Sequence, residues 1–145
     1  MKKVIDSFRD EHSFLSNFYY HPMTINASFT YRTVEHFYQA SKARTKIDHI
    51  RVMSAISPAE AKRKGRKVQL RDDWEEIREE VMWKGLVAKF SNVRLRNLLI
   101  GTYPAKLVEG NWWKDTYWGV DHKTGEGQNR LGELLMKLRK ELMSV

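Results

Sequence analysis

The sequence of 145 residues contains no cysteine, only three prolines and no long apolar run. The lack of cysteine excludes disulfides, thiolate catalysis and cysteine-type zinc sites together. No apolar stretch approaches the length of a membrane-spanning helix, and the first residues, MKKVIDSFRD, lack the apolar core of a signal peptide. These absences predict a cytoplasmic protein that does not associate with membranes. A chain of this length is expected to fold as one domain, residues 1–145, without a disulfide or a metal.

Basic residues outnumber acidic ones, with 26 lysines and arginines against 18 aspartates and glutamates, so the formal net charge is +8. Such a surface attracts anions, which include phosphates, nucleotides and nucleic acids. The densest basic segment is AKRKGRKVQLR at residues 61–71, which contains Lys62 and Arg66. This segment is interpreted either as a solvated helix face or as a phosphate-binding site.

Hydrophobic periodicity predicts a mainly α fold with a small β element near the N-terminus. The segment MTINASFTY predicts two strands around a turn at Asn26–Ala27. Thr33 is predicted to cap the first helix. Helices are predicted over residues 34–46, 50–56, 59–67, 72–90, 93–100 and 131–143, and a short strand over 106–109.

Two of these helices carry start signals. In SPAE, Ser57 can cap the helix, Pro58 suits its first position and Glu60 can close a capping box. In DDWEE, Asp72 can cap the long helix and Glu75 can close the box. The last helix is amphipathic. Its residues predicted to face the core are Leu131, Leu134, Leu135 and Leu138.

Recognisable motifs for metal binding and nucleophilic catalysis are missing. The five histidines are scattered, and no two of them have the spacing of metal ligands on a helix. There is no G-x-S-x-G motif, and GEGQNRLG lacks the lysine and hydroxyl residues that end a phosphate loop. Carboxylates, aromatic rings and cations are left as the groups that could carry chemistry.

Three carboxylates lie in apolar or aromatic company, namely Glu35, Glu109 and Asp115. Glu35 lies in the first turn of a predicted helix, where it can serve either the helix dipole or a functional site. Asp115 lies between two tryptophans, which is compatible with a turn residue or with a functional carboxylate. Aromatic walls raise the pKa of a carboxyl group and nearby cations lower it, so one site can hold an acid and a base near neutrality.

Residues 110–132 combine three tryptophans, two aspartates and five of the eight glycines. Aromatic faces can stack on bases or sugars, and glycines let backbone amides approach an anion. Asn129 and the start of the last helix could add N–H donors near a phosphate. The segment therefore suggests a nucleotide-like pocket, with an irregular packed loop as the alternative.

An ordered set of motifs resembles the NADAR family, the YbiA-like N-glycosidases. The motifs are FLSNFY, TVEHFYQASKA, the segment from SPAEAKRKGRK to GLVAKF, PAKLVE, DTYWG and GEGQNRLGELLMKLRKEL, and they extend over about residues 8 to 142. The resemblance implies a compact, mainly helical single domain that hydrolyses N-glycosidic bonds at ribose. It also implies two substrate classes: phosphoribosylated early intermediates of riboflavin synthesis, and ADP-ribose attached to guanine in DNA or to a related acceptor.

Site residues follow from the resemblance by position. It implies catalytic roles for Glu35 and Asp115, and substrate-binding roles for Asn17, Lys42, Arg66, Trp74, Glu109, Trp118, Gly119 and Asn129. No metal or other cofactor is implied. The expected partners are a small phosphorylated ribosyl compound or nucleotide and, for the second substrate class, ADP-ribosylated nucleic acid.

The implied mechanism divides the work between two carboxylates. One of Glu35 and Asp115 would stabilise the oxocarbenium-like centre or activate water, and the other would protonate or orient the leaving group. Trp74 or Trp118 would stack on the base or cover the sugar. Lys42, Arg66 and backbone amides of residues 127–129 would hold phosphates, and Lys42 could instead capture C1 as a Schiff base.

The loop after residue 110 departs from the family pattern, with two additional tryptophans at 112 and 113. This loop is expected to lie near the ligand. The resemblance to the family is therefore a weaker guide to the choice of substrate than to the fold or the type of reaction. The rival interpretation is a module that binds ADP-ribose or a nucleotide without cleaving it. A pure nucleic-acid binder would show affinity that falls steeply with salt.

Overall fold

A computed structural model describes residues 3–144 of the chain, and the helical class predicted from the sequence is confirmed. Within that range there are six α-helices, a 3-10 helix at Asp10–Leu15 and six short strands. The helices are α1 (Val34–Ser41), α2 (Lys46–Met53), α3 (Pro58–Gly65), α4 (Trp74–Lys89), α5 (Val93–Gly101) and α6 (Arg130–Met143). The strands are β1 (Val4–Ile5), β2 (Met23–Ile25), β3 (Phe29–Tyr31), β4 (Lys106–Leu107), β5 (Gly110–Asn111) and β6 (Val120–Asp121).

Backbone contacts divide the chain into two compact units. The continuous unit is Asn17–Lys89, and the discontinuous unit combines the residues before it with those from Phe90 onward. The assignment of residues 1–145 to one domain stays a prediction. No helix among the described residues has the length and apolar character needed to cross a bilayer.

Helix α1 is the centre of the continuous unit, since every residue from Val34 to Ser41 is buried. The hydroxyl of Thr33 accepts a hydrogen bond from the backbone N–H of His36 at 3.0 Å, which confirms the predicted cap. Strands β2 and β3 form the predicted antiparallel hairpin. Its loop, residues 26–28, joins the paired Ile25 and Phe29, and it places Asn26 and Ala27 at φ 61° and 57°, in the left-handed region.

The helix predicted over 34–46 is shorter in the structure, and the one predicted over 50–56 begins earlier. Helix α1 ends at Ser41, and Ala43 then forms an isolated antiparallel bridge with Leu70. The hydroxyl of Thr45 accepts a hydrogen bond from the N–H of Asp48 at 3.2 Å and so begins a new helix at Lys46. A tertiary pairing thus overrides the helical propensity of residues 42–45.

The start signals of α3 and α4 have different outcomes. Ser57 caps α3 as predicted, accepting from the N–H of Glu60 at 3.1 Å. The Glu60 carboxylate binds Arg63 and Lys64 one turn later. The predicted Asp72 cap of α4 is wrong, because α4 begins at Trp74 and the Asp72 carboxylate pairs with Arg44.

The discontinuous unit is built on α5 and α6 with two pairs of parallel strands, β1 with β4 and β5 with β6. All four leucines predicted to face the core from α6 are buried. From the same helix, the Arg139 guanidinium donates to the Thr102 hydroxyl at 2.9 Å and to the Ala105 carbonyl at 2.8 Å. These bonds fix the turn that follows α5 against α6.

Candidate active site

The Glu35 carboxylate is held inside the continuous unit. Glu35 is 7% exposed, and its backbone N–H donates to the carbonyl of Asn17 at 3.0 Å. One turn further along α1, the side-chain amide of Gln39 donates from Nε2 to Glu35 Oε2 at 2.7 Å. A buried carboxylate is costly to charge unless hydrogen bonds or cations compensate it, so this placement is unusual for a residue that serves only a helix dipole.

Cations surround Lys42, which follows the C-terminal end of α1. Burial lowers the pKa of Lys42 below its ordinary value; the Glu35 carboxylate raises that pKa, and Arg66, Lys62 and Arg78 lower it. The predicted site residues Glu35, Lys42 and Arg66 are therefore electrostatic neighbours. Several cations around Lys42 create a positive potential that suits a phosphate.

An aromatic pair adjoins the same cations. The ring centroids of Tyr38 and Trp74 lie 5.1 Å apart, and Lys42 Nζ is 5.7 Å from the Tyr38 centroid. Trp74 is only 4% exposed, so it supports Tyr38 from within the core. Trp118 of the discontinuous unit is half-buried, with its ring 4.9 Å edge-on from Tyr117, and its accessible surface makes it the better candidate for stacking on a ligand.

Asp115 organises the loop that precedes α6. Its Oδ1 atom accepts hydrogen bonds from the backbone N–H groups of Tyr117 at 3.1 Å and Trp118 at 2.9 Å. The Asn111 side chain binds the backbone of Asp115 on both sides, donating to its carbonyl at 2.9 Å and accepting from its N–H at 3.0 Å. Asp115 is thus a turn residue, as one of the two interpretations held, and its catalytic role stays a prediction.

The carbonyls of this loop cap α6. The backbone N–H groups of residues 128, 129, 130 and 131 donate to the carbonyls of Thr116, Gly119, Tyr117 and Trp118, at 2.8 to 3.1 Å. The expectation that amides at the start of the last helix hold a phosphate is therefore wrong for Gln128 and Asn129, because a protein carbonyl already occupies each of those donors.

Glu109, Gly119 and Asn129 lie in one packed corner of the discontinuous unit. The Asn129 side chain donates to the Leu107 carbonyl at 3.0 Å and accepts from the Glu109 N–H at 2.9 Å. A Cβ atom at Gly119 would collide with the Glu109 carbonyl, so only glycine permits this approach. For Asn129 and Gly119 these contacts describe structural roles, and their roles in binding substrate stay predictions.

The predicted site residues fall into two groups. The continuous unit contains Asn17, Glu35, Lys42, Arg66 and Trp74, and the discontinuous unit contains Glu109, Asp115, Trp118, Gly119 and Asn129. The convergence of Glu35 with Asp115 stays a prediction. Sequence reasoning missed Gln39, Arg78 and Asn111, of which only Gln39 had a usable signal, since it lies four residues after Glu35 on one helix face.

The chain matches the family model of the NADAR domain over residues 5–143. The chain belongs to the NADAR domain family. It is 42% identical over 139 residues to N-glycosidase YbiA of Escherichia coli K12, covering 94% of this chain and 85% of the relative. The solved NMR structure of E. coli YbiA matches with a TM-score of 0.85 and 40% identity, covering 99% of this chain and 85% of that one.

Two longer NADAR relatives carry the name riboflavin biosynthesis protein. One, from Vibrio vulnificus, is 39% identical over 137 residues, covering 92% of this chain and 36% of the relative. The other, the chloroplastic protein PYRR of Zea mays, is 41% identical over 130 residues, covering 79% of this chain and 20% of the relative. With the YbiA match, the family assignment makes this chain an enzyme, a hydrolase of the NADAR N-glycosidases.

Two substitutions of Asp115 should separate the role of its side chain as a hydrogen-bond acceptor in the turn from the role of its charge. Asp115→Ala removes an acceptor of two backbone N–H groups, and we expect it to lower the free energy of unfolding by about 1–2 kcal/mol. Asp115→Asn keeps an oxygen in that position, so its stability should stay within about 0.5 kcal/mol of the wild type. Urea unfolding of the wild type and the two variants measures both values. Equal losses of unfolding free energy in the two variants would contradict the structural role of Asp115 in the turn.

Proposed function

We propose that this NADAR enzyme hydrolyses the ribose C1–N bond of a phosphorylated ribosyl compound. The observation that carries the proposal is the buried Glu35 carboxylate, bonded to Gln39 and electrostatically coupled to Lys42. Breaking this bond places positive charge on C1 and the ring oxygen, and a carboxylate in a water-poor site stabilises that charge strongly. The cations around Lys42 would bind the substrate phosphate.

The second carboxylate supplies the other half of the reaction. Asp115 would orient the attacking water or the departing nitrogen, while Glu35 stabilises the sugar. The Asx turn supports this proposal, because its hydrogen bonds to the backbone fix the carboxylate on a loop that is tied to α6. A fixed carboxylate needs little reorganisation when charge develops in the transition state.

Two substrate classes fit the proposal. The names of the longer relatives favour phosphoribosylated intermediates of riboflavin synthesis. The net charge of +8 and the half-buried Trp118 are compatible with ADP-ribose attached to guanine in DNA.

The deciding experiment incubates the protein with a phosphoribosylaminopyrimidine and, separately, with ADP-ribosylated guanine DNA, and follows each by mass spectrometry. Release of the free base or pyrimidine from either substrate supports the proposal and names the class. ADP-ribose binding by calorimetry without release from either substrate would favour the rival binding module.

A covalent route through Lys42 is favoured by one observation. Burial lowers the pKa of Lys42, which increases the fraction of unprotonated amine available for attack. In this route the Lys42 nitrogen bonds to C1 of the ring-opened sugar, the leaving nitrogen departs with a proton, and water then hydrolyses the imine.

Borohydride trapping tests this route. With substrate present, we expect reduction to leave the mass of the sugar on the wild-type protein and to leave none on Lys42→Ala. Lys46→Ala is the matched control, because Lys46 is an exposed lysine of the same unit. An unmodified wild type, or an adduct that persists in Lys42→Ala, rules the covalent route out.

A further inference from the structure

We infer that Gln39 is a positioning residue for Glu35, fixing the carboxylate in the orientation and charge state that the reaction uses. The inference rests on the proposed function of Glu35 and adds a residue to it. Gln39 is 4% exposed and lies one helical turn after Glu35 on α1, with its Nε2 atom 2.7 Å from Glu35 Oε2. A hydrogen bond to a charged acceptor is about twice as strong as one between neutral groups.

The orientation of the Gln39 amide carries a cost that packing alone does not explain. With Nε2 directed to the carboxylate, Oε1 points away and is buried with no hydrogen-bond partner among the described residues. Leaving a buried carbonyl oxygen unsatisfied is destabilising, because the oxygen loses its hydrogen bonds to water and gains none in the fold. Leucine or methionine would fill the same space without that cost. A polar side chain that is only half satisfied at this position therefore points to a requirement for its N–H donor.

Gly65 makes room for this arrangement. A Cβ atom at Gly65, the last residue of α3, would collide with Gln39 Oε1 and approach Gln39 Cδ at 3.0 Å. Helix α3 also carries Lys62, and Arg66 follows it directly. One amide thus contacts both the candidate carboxylate on α1 and the helix that supplies candidate phosphate-binding cations.

The charged neighbours of Glu35 do not replace this function. Lys42, at the end of α1, is coupled to Glu35, and Lys62, Arg66 and Arg78 are coupled to Lys42 in turn. Lys42 favours a charged Glu35 carboxylate without fixing its rotation, because a long lysine chain is flexible. Gln39 lies on the same helix as Glu35 and supplies a single directional bond.

The test compares wild type with Gln39→Met, which keeps the volume and removes the donor. We expect kcat to fall by about 10- to 100-fold with KM within about threefold, because substrate contacts are retained while the carboxylate is misplaced. In the ¹³C carboxyl NMR titration of Glu35, the midpoint should move to higher pH because the charged form loses its donor. Gln69→Met is the control, since Gln69 is an exposed glutamine of the same unit.

The NMR titration keeps the inference separate from the proposed function. If the wild type cleaves neither substrate, the proposed function fails, and the Glu35 midpoint alone decides whether Gln39 positions that carboxylate. An unchanged midpoint in Gln39→Met, or an unchanged kcat in an active enzyme, overturns the inference.

A double-mutant cycle tests the link to Gly65. Gly65→Ala should lower kcat by about tenfold in the wild-type background, because the new methyl group displaces the Gln39 amide. In Gln39→Ala the colliding Oε1 atom and the close Cδ atom are gone and only the contact with the residue-39 Cβ at 3.0 Å remains, so adding Gly65→Ala should change kcat by less than about threefold. If the fold-losses in kcat of the two single variants multiply in the double variant, Gly65 acts independently of Gln39. That result would overturn the proposed link between the two residues.

Discussion

Glu35→Gln should lower kcat by about a hundredfold or more on the substrate that the enzyme cleaves, because it removes one negative charge beside the developing oxocarbenium centre. The substitution is nearly isosteric. Its amide oxygen can still accept the hydrogen bond that Gln39 donates to Oε2 in the wild type. The free energy of unfolding should therefore change much less than the rate.

Initial rates at saturating substrate measure this effect, and thermal unfolding checks that the variant is folded. Glu76→Gln is the matched control, because Glu76 is an exposed glutamate of the same unit, in the first turn of α4. A folded Glu35→Gln variant that turns over within about threefold of wild type would remove Glu35 from the mechanism.

Lys89→Met should stabilise the protein below pH 7, by several kcal/mol. Lys89 is 1% exposed, and burial lowers its pKa from 10.5 to about 7. Between these two values the unfolded chain binds a proton that the folded chain has lost. Wild-type stability should therefore rise with pH across this window, by up to about 1.4 kcal/mol per pH unit. Methionine does not titrate, so the difference in unfolding free energy between Lys89→Met and wild type should shrink as the pH approaches 10.

Urea unfolding at intervals from pH 6 to pH 10 measures both proteins. The control is Lys84→Met, an exposed lysine on the same helix, which should leave the pH dependence of wild type unchanged. Parallel stability curves for wild type and Lys89→Met would show that Lys89 keeps an ordinary pKa in the folded state. Lys89 Nζ lies 5.4 Å from the Tyr19 ring centroid. The difference in unfolding free energy between Lys89→Met and wild type therefore also includes the loss of this cation–π contact.

Short sequence patterns correctly predicted those caps, turns and buried faces that depend on neighbouring residues along the chain. The Ser57 cap, the hairpin turn at Asn26–Ala27 and the buried leucines of α6 were all correct, because each follows from a short spacing. The end of α1 and the start of α4 were not, because Arg44 pairs with Asp72, and a bridge joins Ala43 to Leu70. Such pairings join segments that are far apart in sequence, which a local window does not contain.

The candidate site shows the same limit. The family motifs indicated Glu35 and Lys42, and the structure couples them. The proposed phosphate donors at Gln128 and Asn129 were wrong because the loop after Asp115 folds back and its carbonyls take those amides. No spacing rule predicts which loop caps a helix, because the carbonyls that reach its N–H groups depend on how the preceding loop folds.

The pairing of β1 with β4 has a consequence for how the chain is made. Val4 aligns with Lys106, so the N-terminal strand has no partner until the ribosome has extruded much of the chain. The continuous unit, by contrast, is complete once Lys89 has emerged, and domains generally fold as units during synthesis. A nascent chain arrested when Lys89 has just emerged from the ribosome should therefore already protect α1 from proteolysis, while its first strand stays open to cleavage.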